Sequence, residues 1–260
     1  LGFDRVLEIA GPKALRHVRC ALTDAWEHEG WMERYVDDMR QRYGPAEGSK
    51  AWAVRPSVLP DALYPDLWLT ERALEALNEM PVHQPWLLWI SFVGPHEPFD
   101  TPDRWRQNTP CRLPNPTPLG SWISQLSQEC ELHRALERWE GRLSKKDIKA
   151  CRQDYANHLQ LLDAQLQRLL NALAIRDDVG QTAIAVTSDH GEMLGDHGML
   201  YKGTFLEASI RVPFQYCPPP DLNNPPQILK RPLGLTNMFS SVLRHLIDGG
   251  AAHNIVETAK

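Results

Sequence analysis

Two short apolar runs, each breaking off into polar residues, constrain the fold of this chain more than any other feature. The first is PWLLWISFVG, residues 85–94, which runs straight into PHEPFDTPDRW. The second is TAIAVTSDHG, residues 182–191, which runs into EMLGDHGMLYKG. Both are short, nearly continuous in apolar residues, and bounded by proline or glycine, so each reads as a buried strand. Polar residues at the ends of buried strands are where open α/β sheets place their sites.

Helical patterns surround these runs. Residues from about 12 to 43 carry Ala14, Leu15, Val18, Leu22 and Trp26 near helical spacing, and residues 65–80 place Leu67, Leu74 and Leu77 on one side. The clearest helix opens on a capping box, Ser144-x-x-Asp147. Behind it Ile148, Cys151, Tyr155, Leu159, Leu162, Leu166, Leu169 and Leu173 step by three or four up to RDDVG. RVPFQYCPPP reads as a strand stopped by prolines, and LTNMFSSVLRHLIDGG as a last helix, N-capped by Thr236 and ended by Gly249 and Gly250. Residues 43–60 read as loop, and residues 101–145 as a Pro-rich surface excursion. The order helix, strand, helix, strand, strand, helix predicts one α/β domain over 1–260, a mostly parallel sheet flanked by helices.

Composition removes several classes of function. The net charge is −5 with no long run of like charge, so nothing marks a surface for nucleic acid or an anionic membrane. The longest apolar run falls short of the about 20 residues that span a bilayer. The five cysteines are odd in number, widely spaced and lack C-x-x-C, which argues for scattered thiols rather than a disulfide framework or zinc ribbon. Such usage leans to a reducing interior, hence a cytoplasmic location. The opening LGFDRV has neither an initiator Met nor a signal-like segment, as a mature product or a fragment would.

Chemistry concentrates at the two strand ends. Asp189 and His190 offer a hard carboxylate oxygen beside an imidazole nitrogen, a donor pair suited to a divalent cation. Adjacent residues converge on one ion only where a strand gives way to a loop, and Gly191 supplies that turn. For Ser188-Asp189-His190-Gly191 alone, an Asx-type turn with a surface histidine explains the string equally well. Asp196 and His197, between Gly195 and Gly198, read first as loop braces. Lys202 is the only Lys or Arg between Asp189 and Arg211 and is a natural point charge for an oxyanion, although a loop lysine taken alone nearly always faces solvent. His96, stiffened by Pro95 and Pro98, could protonate a leaving oxygen. There is no G-x-S-x-G, no G-x-x-x-x-G-K-[ST] and no G-x-G-x-x-G.

SFVGPHEPFD, followed by TSDHGEMLGDHGMLYKGTFLEASIRVPF, resembles the sulfatases of the alkaline-phosphatase superfamily, in particular the branch of choline sulfatases and phosphonate monoester hydrolases. The likeness extends to YANHLQLLDAQLQRLLNAL and GFDRVLEIAGP and runs from about residue 2 to about residue 248. It implies a partial alkaline-phosphatase-like sandwich whose first strands are missing. It implies that Asp189 and His190 bind a single divalent cation (Ca or Mg, with Mn as a third choice). Lys202 would contact an ester oxyanion oxygen, and His96 would contact the substrate near the leaving oxygen as general acid. His197 takes a supporting place. The implied substrate is a small sulfate or phosphonate monoester.

The family's nucleophile is a formylglycine made from Cys or Ser in C-x-P-S-R or S-x-P-S-R. None of Cys20, Cys111, Cys130, Cys151 and Cys217 begins such a motif, and no serine does. The chain therefore resembles a sulfatase that starts after its catalytic first half and stops before a C-terminal subdomain. Three expectations follow. The chain is part of a metal-dependent sulfuric ester hydrolase whose nucleophile lies elsewhere; or it is a catalytically inactive sulfatase remnant; or it is a phosphonate or phosphate ester hydrolase of the same superfamily. In this chain alone the cation should be weakly bound or absent, since two donors fall short of the about six to eight that calcium takes.

Overall fold

The computed structural model describes residues 3–45, 49–106, 113–222, 228 and 233–247. The chain divides into two compact units. One comprises Leu1–Met80, Trp86–Ala172 and Met193–Tyr201; the other comprises Pro81–Pro85, Leu173–Glu192 and Lys202–Lys260.

The larger unit is helical. The segment predicted as helix over 12–43 forms two helices, α1 (Ala21–His28) and α2 (Met32–Tyr43). The break falls at Gly30, whose φ of 74° lies in the left-handed region that ends helices. The Thr23 hydroxyl accepts the Cys20 amide at 2.8 Å and closes the start of α1. α3 (Pro65–Glu79) starts with proline in its first turn, where no amide partner is needed. Within the excursion, short 3₁₀ turns at Asp103–Trp105 and Ser121–Gln125 precede α4 (Glu131–Trp139), so this stretch is more structured than its prolines suggest. α5 (Lys145–Ala174) begins on the expected capping box: Asp147 N–H donates to Ser144 Oγ at 3.1 Å, and Ser144 N–H to Asp147 Oδ2 at 3.0 Å.

Three buried apolar clusters hold this unit. The first joins Leu15, Leu22, Trp26, Tyr35, Met39, Leu59 and Leu63; the second Trp52, Phe99, Cys151, Leu194 and Leu200; the third Tyr64, Leu67 and Leu161. Trp26 Nε1 donates to the Leu63 carbonyl and Tyr35 Oη to that of Pro12, each at 2.8 Å, so the polar tips of these large rings are satisfied inside. A buried ion cluster lies beside them: Asp38 Oδ2 meets Arg42 Nε at 2.6 Å and Asp38 Oδ1 meets Arg55 Nη2 at 2.5 Å.

The smaller unit contains β1 (Ile184–Thr187), the four-residue α6 (Glu207–Ile210), β2 (Phe214–Cys217) and α7 (Leu235–Ile247). β1 and β2 pair antiparallel, Ile184 opposite Cys217 and Thr187 opposite Phe214. This corrects the expected parallel order for the one ladder among the described residues. The segment 188–213 between them is long enough for a crossover, but its α-helix, α6, is a single turn and supplies no crossover helix of the kind that joins parallel strands. Both strands alternate half-buried and exposed rather than lying buried throughout.

The run at 85–94 differs from expectation too: among the described residues it joins no ladder. Trp86, Leu88, Ile90 and Phe92 are half-buried, while Leu87 and Trp89 are 53 % and 63 % exposed. Continuous hydrophobicity signals a strand that needs cover on both faces, but the cover must come from other strands and helices. Thr236 lies one residue inside α7 instead of capping it, and Gly249 and Gly250 lie outside the described residues. Cys20, Cys130, Cys151 and Cys217 are free thiols. Among the described residues no helix is long and apolar enough to cross a membrane.

Candidate metal and oxyanion site

β1 ends at Thr187, and the chain turns at once. Asp189 Oδ1 accepts the His190 amide at 2.9 Å, and Ser188 Oγ donates to the His190 carbonyl at 2.8 Å. The turn escapes the strand alternation that would send neighbouring side chains to opposite faces. As a result Asp189 Oδ2 and His190 Nε2 stand 3.6 Å apart. His190 Nδ1 lies 2.8 Å from the Gly191 carbonyl. A carbonyl only accepts, so Nδ1 carries the proton, and Nε2 of the neutral ring keeps its lone pair.

These residues fit a divalent cation. A ligating histidine usually donates its second ring N–H to a carbonyl or carboxylate, as His190 does. Two donors 3.6 Å apart can share one ion at ordinary ligand distances of about 2.0–2.4 Å. The Asp189 side chain is 85 % exposed, so its carboxylate is open to an ion from solution. Among the described residues no third His, Cys, Asp or Glu completes the group.

Gly191 is required by close approach. Its amide donates to the Ser209 carbonyl at 2.7 Å, and a Cβ there would meet the Ala208 carbonyl oxygen at 2.1 Å. The loop after Asp189 and His190 is thereby pinned to α6. Lys202 belongs to the same unit and is half-buried. Gly203 follows it with φ of 95°.

His96 and His197 belong to the other unit. His197 sits at φ 53°, its amide donating to the Thr117 carbonyl at 2.7 Å and its Nδ1 to that of Pro118 at 3.1 Å. The Asp196 carboxylate accepts the Thr117 amide at 2.9 Å. These bonds tie the 193–201 loop to the excursion. His96 Nδ1 lies 2.6 Å from the Glu97 carbonyl oxygen and 3.1 Å from Glu97 Oε2. Both are acceptors, so Nδ1 holds the proton, and Nε2 is the nitrogen that exchanges one. Glu97 is buried and pairs with Lys13 Nζ at 2.8 Å.

Around the His96 loop lies a group of buried polar residues that sequence reasoning missed. Asp66, at the start of α3, bonds His158 of α5; Tyr64 Oη donates to Asp100 at 3.2 Å; Arg106 pairs with Asp154 at 2.5 Å. Burial pushes the Asp100 carboxyl up to about 7 and raises that of Asp154 against the pull of Arg106. Burial alone would lower His158, but the bond to Asp66 and the nearby carboxylates of Asp100 and Asp154 outweigh it, and the net shift is upward. Asp66, His96, Asp100 and His158 help to line a cavity of about 20 Å³, enough for one water. The only sequence signal for this group was Pro65-Asp66, which reads merely as a helix start.

A family model described as Sulfatase matches residues 22–248. An arylsulfatase of Clostridium perfringens is 31 % identical over 176 residues, covering 66 % of this chain and 36 % of its own. A choline-sulfatase of Rhizobium meliloti is 28 % identical over 147 residues, covering 55 % and 28 %. Among solved structures, the phosphonate monoester hydrolase of Agrobacterium radiobacter superposes with a TM-score of 0.61 at 26 % identity, covering 76 % of this chain and 41 % of its own. The chain thus spans only 28 % and 36 % of the length of these two curated relatives.

Proposed function

Because this chain belongs to the sulfatase family, we propose that it supplies the cation-and-oxyanion wall of a hydrolase acting on small sulfuric esters. The observation that carries the reading is the Asp189–His190 pair: carboxylate oxygen and imidazole nitrogen 3.6 Å apart on the turn after β1, with Nδ1 committed to a carbonyl. Asp189 and His190 would hold the divalent cation (Ca, Mg or Mn), which when bound offsets negative charge on the ester's oxyanion. Lys202 contributes a fixed positive charge to the same oxyanion. His96 delivers a proton from Nε2 to the leaving oxygen, while its Nδ1 proton stays with Glu97. His197 braces the loop between Asp189 and Lys202. The formylglycine nucleophile of such a mechanism has no counterpart among these 260 residues, since no C-x-P-S-R or S-x-P-S-R occurs.

The likeness to a phosphonate monoester hydrolase favours a second substrate class, phosphonate or phosphate monoesters. The same charges serve either oxyanion. A further reading is that this chain alone is inactive; among the described residues Asp189 and His190 are the two donors that come together.

The test is Mn²⁺ titration of chain carrying ¹⁵N-labelled histidine. Broadening of the His190 signal that vanishes in Asp189→Ala supports the site; broadening unchanged by that substitution refutes it. In parallel, turnover of aryl sulfate and phosphonate esters by this chain is expected not to exceed the Asp189→Ala control.

A further inference from the structure

The segment that carries His96 is held from both sides by side chains buried in the helical unit. Before His96, the Asp66 carboxylate accepts the Val93 amide at 2.7 Å and the Gly94 amide at 3.0 Å. Its other oxygen meets His158 Nε2 at 2.8 Å. After His96, Tyr64 Oη bonds Asp100, and the Thr101 hydroxyl donates to Asp154 Oδ2 at 3.1 Å. Asp66 is 1 % and His158 3 % exposed. Glycine at 94 is demanded by this packing, because a Cβ would stand 2.0 Å from His158 Nε2.

We infer that Asp66, held by His158, is the positioning residue for His96. The two residues lie 92 apart in sequence and on different helices, yet they meet at the backbone two residues before the imidazole. A carboxylate is the one side chain of this size that accepts three bonds and donates none. Asparagine would turn its NH₂ toward an amide or the imidazole N–H, donor against donor. The His158 ring donates Nε2–H to the Asp66 carboxylate, and the Tyr64 ring packs 5.7 Å from it. Asp66 touches no substrate in this scheme; it fixes where His96 points. The proposal rests on the reading that His96 serves the leaving oxygen, but its test does not require turnover.

The experiment compares parent chain, Asp66→Asn, His158→Gln and His158→Ala by amide exchange and by NMR of the labelled histidines. In Asp66→Asn, the Val93 and Gly94 amides should exchange at least about ten-fold faster and the His96 ring signal should shift or split, while Leu22 and Trp26 amides keep their protection. His158→Gln retains an N–H donor for Asp66 and should preserve the His96 signal; His158→Ala should not. If Asp66→Asn does not fold, the contrast between Gln and Ala at 158 decides. An unchanged His96 signal in Asp66→Asn and His158→Ala overturns the inference, as does equal disturbance by Gln and Ala. Separately, a His96→Ala variant of an active form with undiminished turnover would remove the role of His96 and leave the clamp standing.

Discussion

Gly94→Ala measures how tightly the His96 loop is packed. No left-handed φ is involved at Gly94, so the effect is purely one of close approach. The new methyl would lie 2.0 Å from His158 Nε2, 2.5 Å from Cε1 and 2.6 Å from Asp66 Oδ2. Comfortable contact needs about 3.5 Å, so the ring must retreat by about 1.5 Å. A hydrogen bond of 2.8 Å does not survive that shift. Losing a bond to a charged group costs about 1.5–3 kcal/mol, and overpacking about 1–3 kcal/mol more. Alanine restricts the unfolded chain and returns about 0.4–1 kcal/mol. The net expectation is a loss of about 2–5 kcal/mol. Urea unfolding followed by tryptophan fluorescence reads it as a lower midpoint at similar slope. Adding His158→Ala removes the obstructing ring, so the double variant should cost clearly less than the sum of the two singles. A Gly94→Ala loss within about 0.5 kcal/mol of the parent, or strict additivity with His158→Ala, would refute the close-packed clamp.

Asp38→Asn should destabilise the helical unit by about 3–5 kcal/mol in the same assay, because it leaves the buried Arg42 guanidinium without its carboxylate; a loss under about 1 kcal/mol would mean that water reaches Arg42. Asp100→Asn should remove a pH dependence. With its carboxyl raised to about 7, Asp100 holds a proton in the folded state that the unfolded chain releases above its ordinary value of 3.8. Parent stability therefore falls as pH rises between these values, by about 1.4 kcal/mol per unit and about 4 kcal/mol in all. The advantage of Asp100→Asn should be greater at pH 8 than at pH 4 by about that amount, and an advantage independent of pH would rule the shift out.

What could be read in the sequence was whatever local interactions decide. The capping box at Ser144 and Asp147 joins residues three apart, and the structure forms it. The proline at the start of α3 and the strand before Pro218 are local in the same sense. Hydrophobic pattern alone misjudged residues 85–94, since an apolar run states a need for cover without saying what provides it. It also missed α4, although Leu132, Ala135, Leu136 and Trp139 keep helical spacing, because the prolines before it mark the whole stretch as loop. The Asp66–His158 pair spans 92 residues and leaves no periodic trace; only packing of α3 against the His96 loop and α5 creates it. Asp189 and His190, by contrast, stood out because glycine and a strand end fall beside them in the chain.

The two groups of candidate residues rest on unlike foundations. His96 belongs to the unit that contains all three buried apolar clusters, and its loop is bonded to buried charges before and after it. Asp189 and His190 follow a two-stranded ladder whose residues are at best half-buried. Two strands alone are marginal in water, so this ladder has little intrinsic rigidity to hold ligands in place. For the proposed cation, affinity and local order would then be the same free energy. An ion drawing Asp189 and His190 together must also hold the turn after Thr187, and any added cover for the ladder must raise the affinity for the ion. Poor cation binding would thus follow from this secondary structure as well as from the two donors that come together among the described residues.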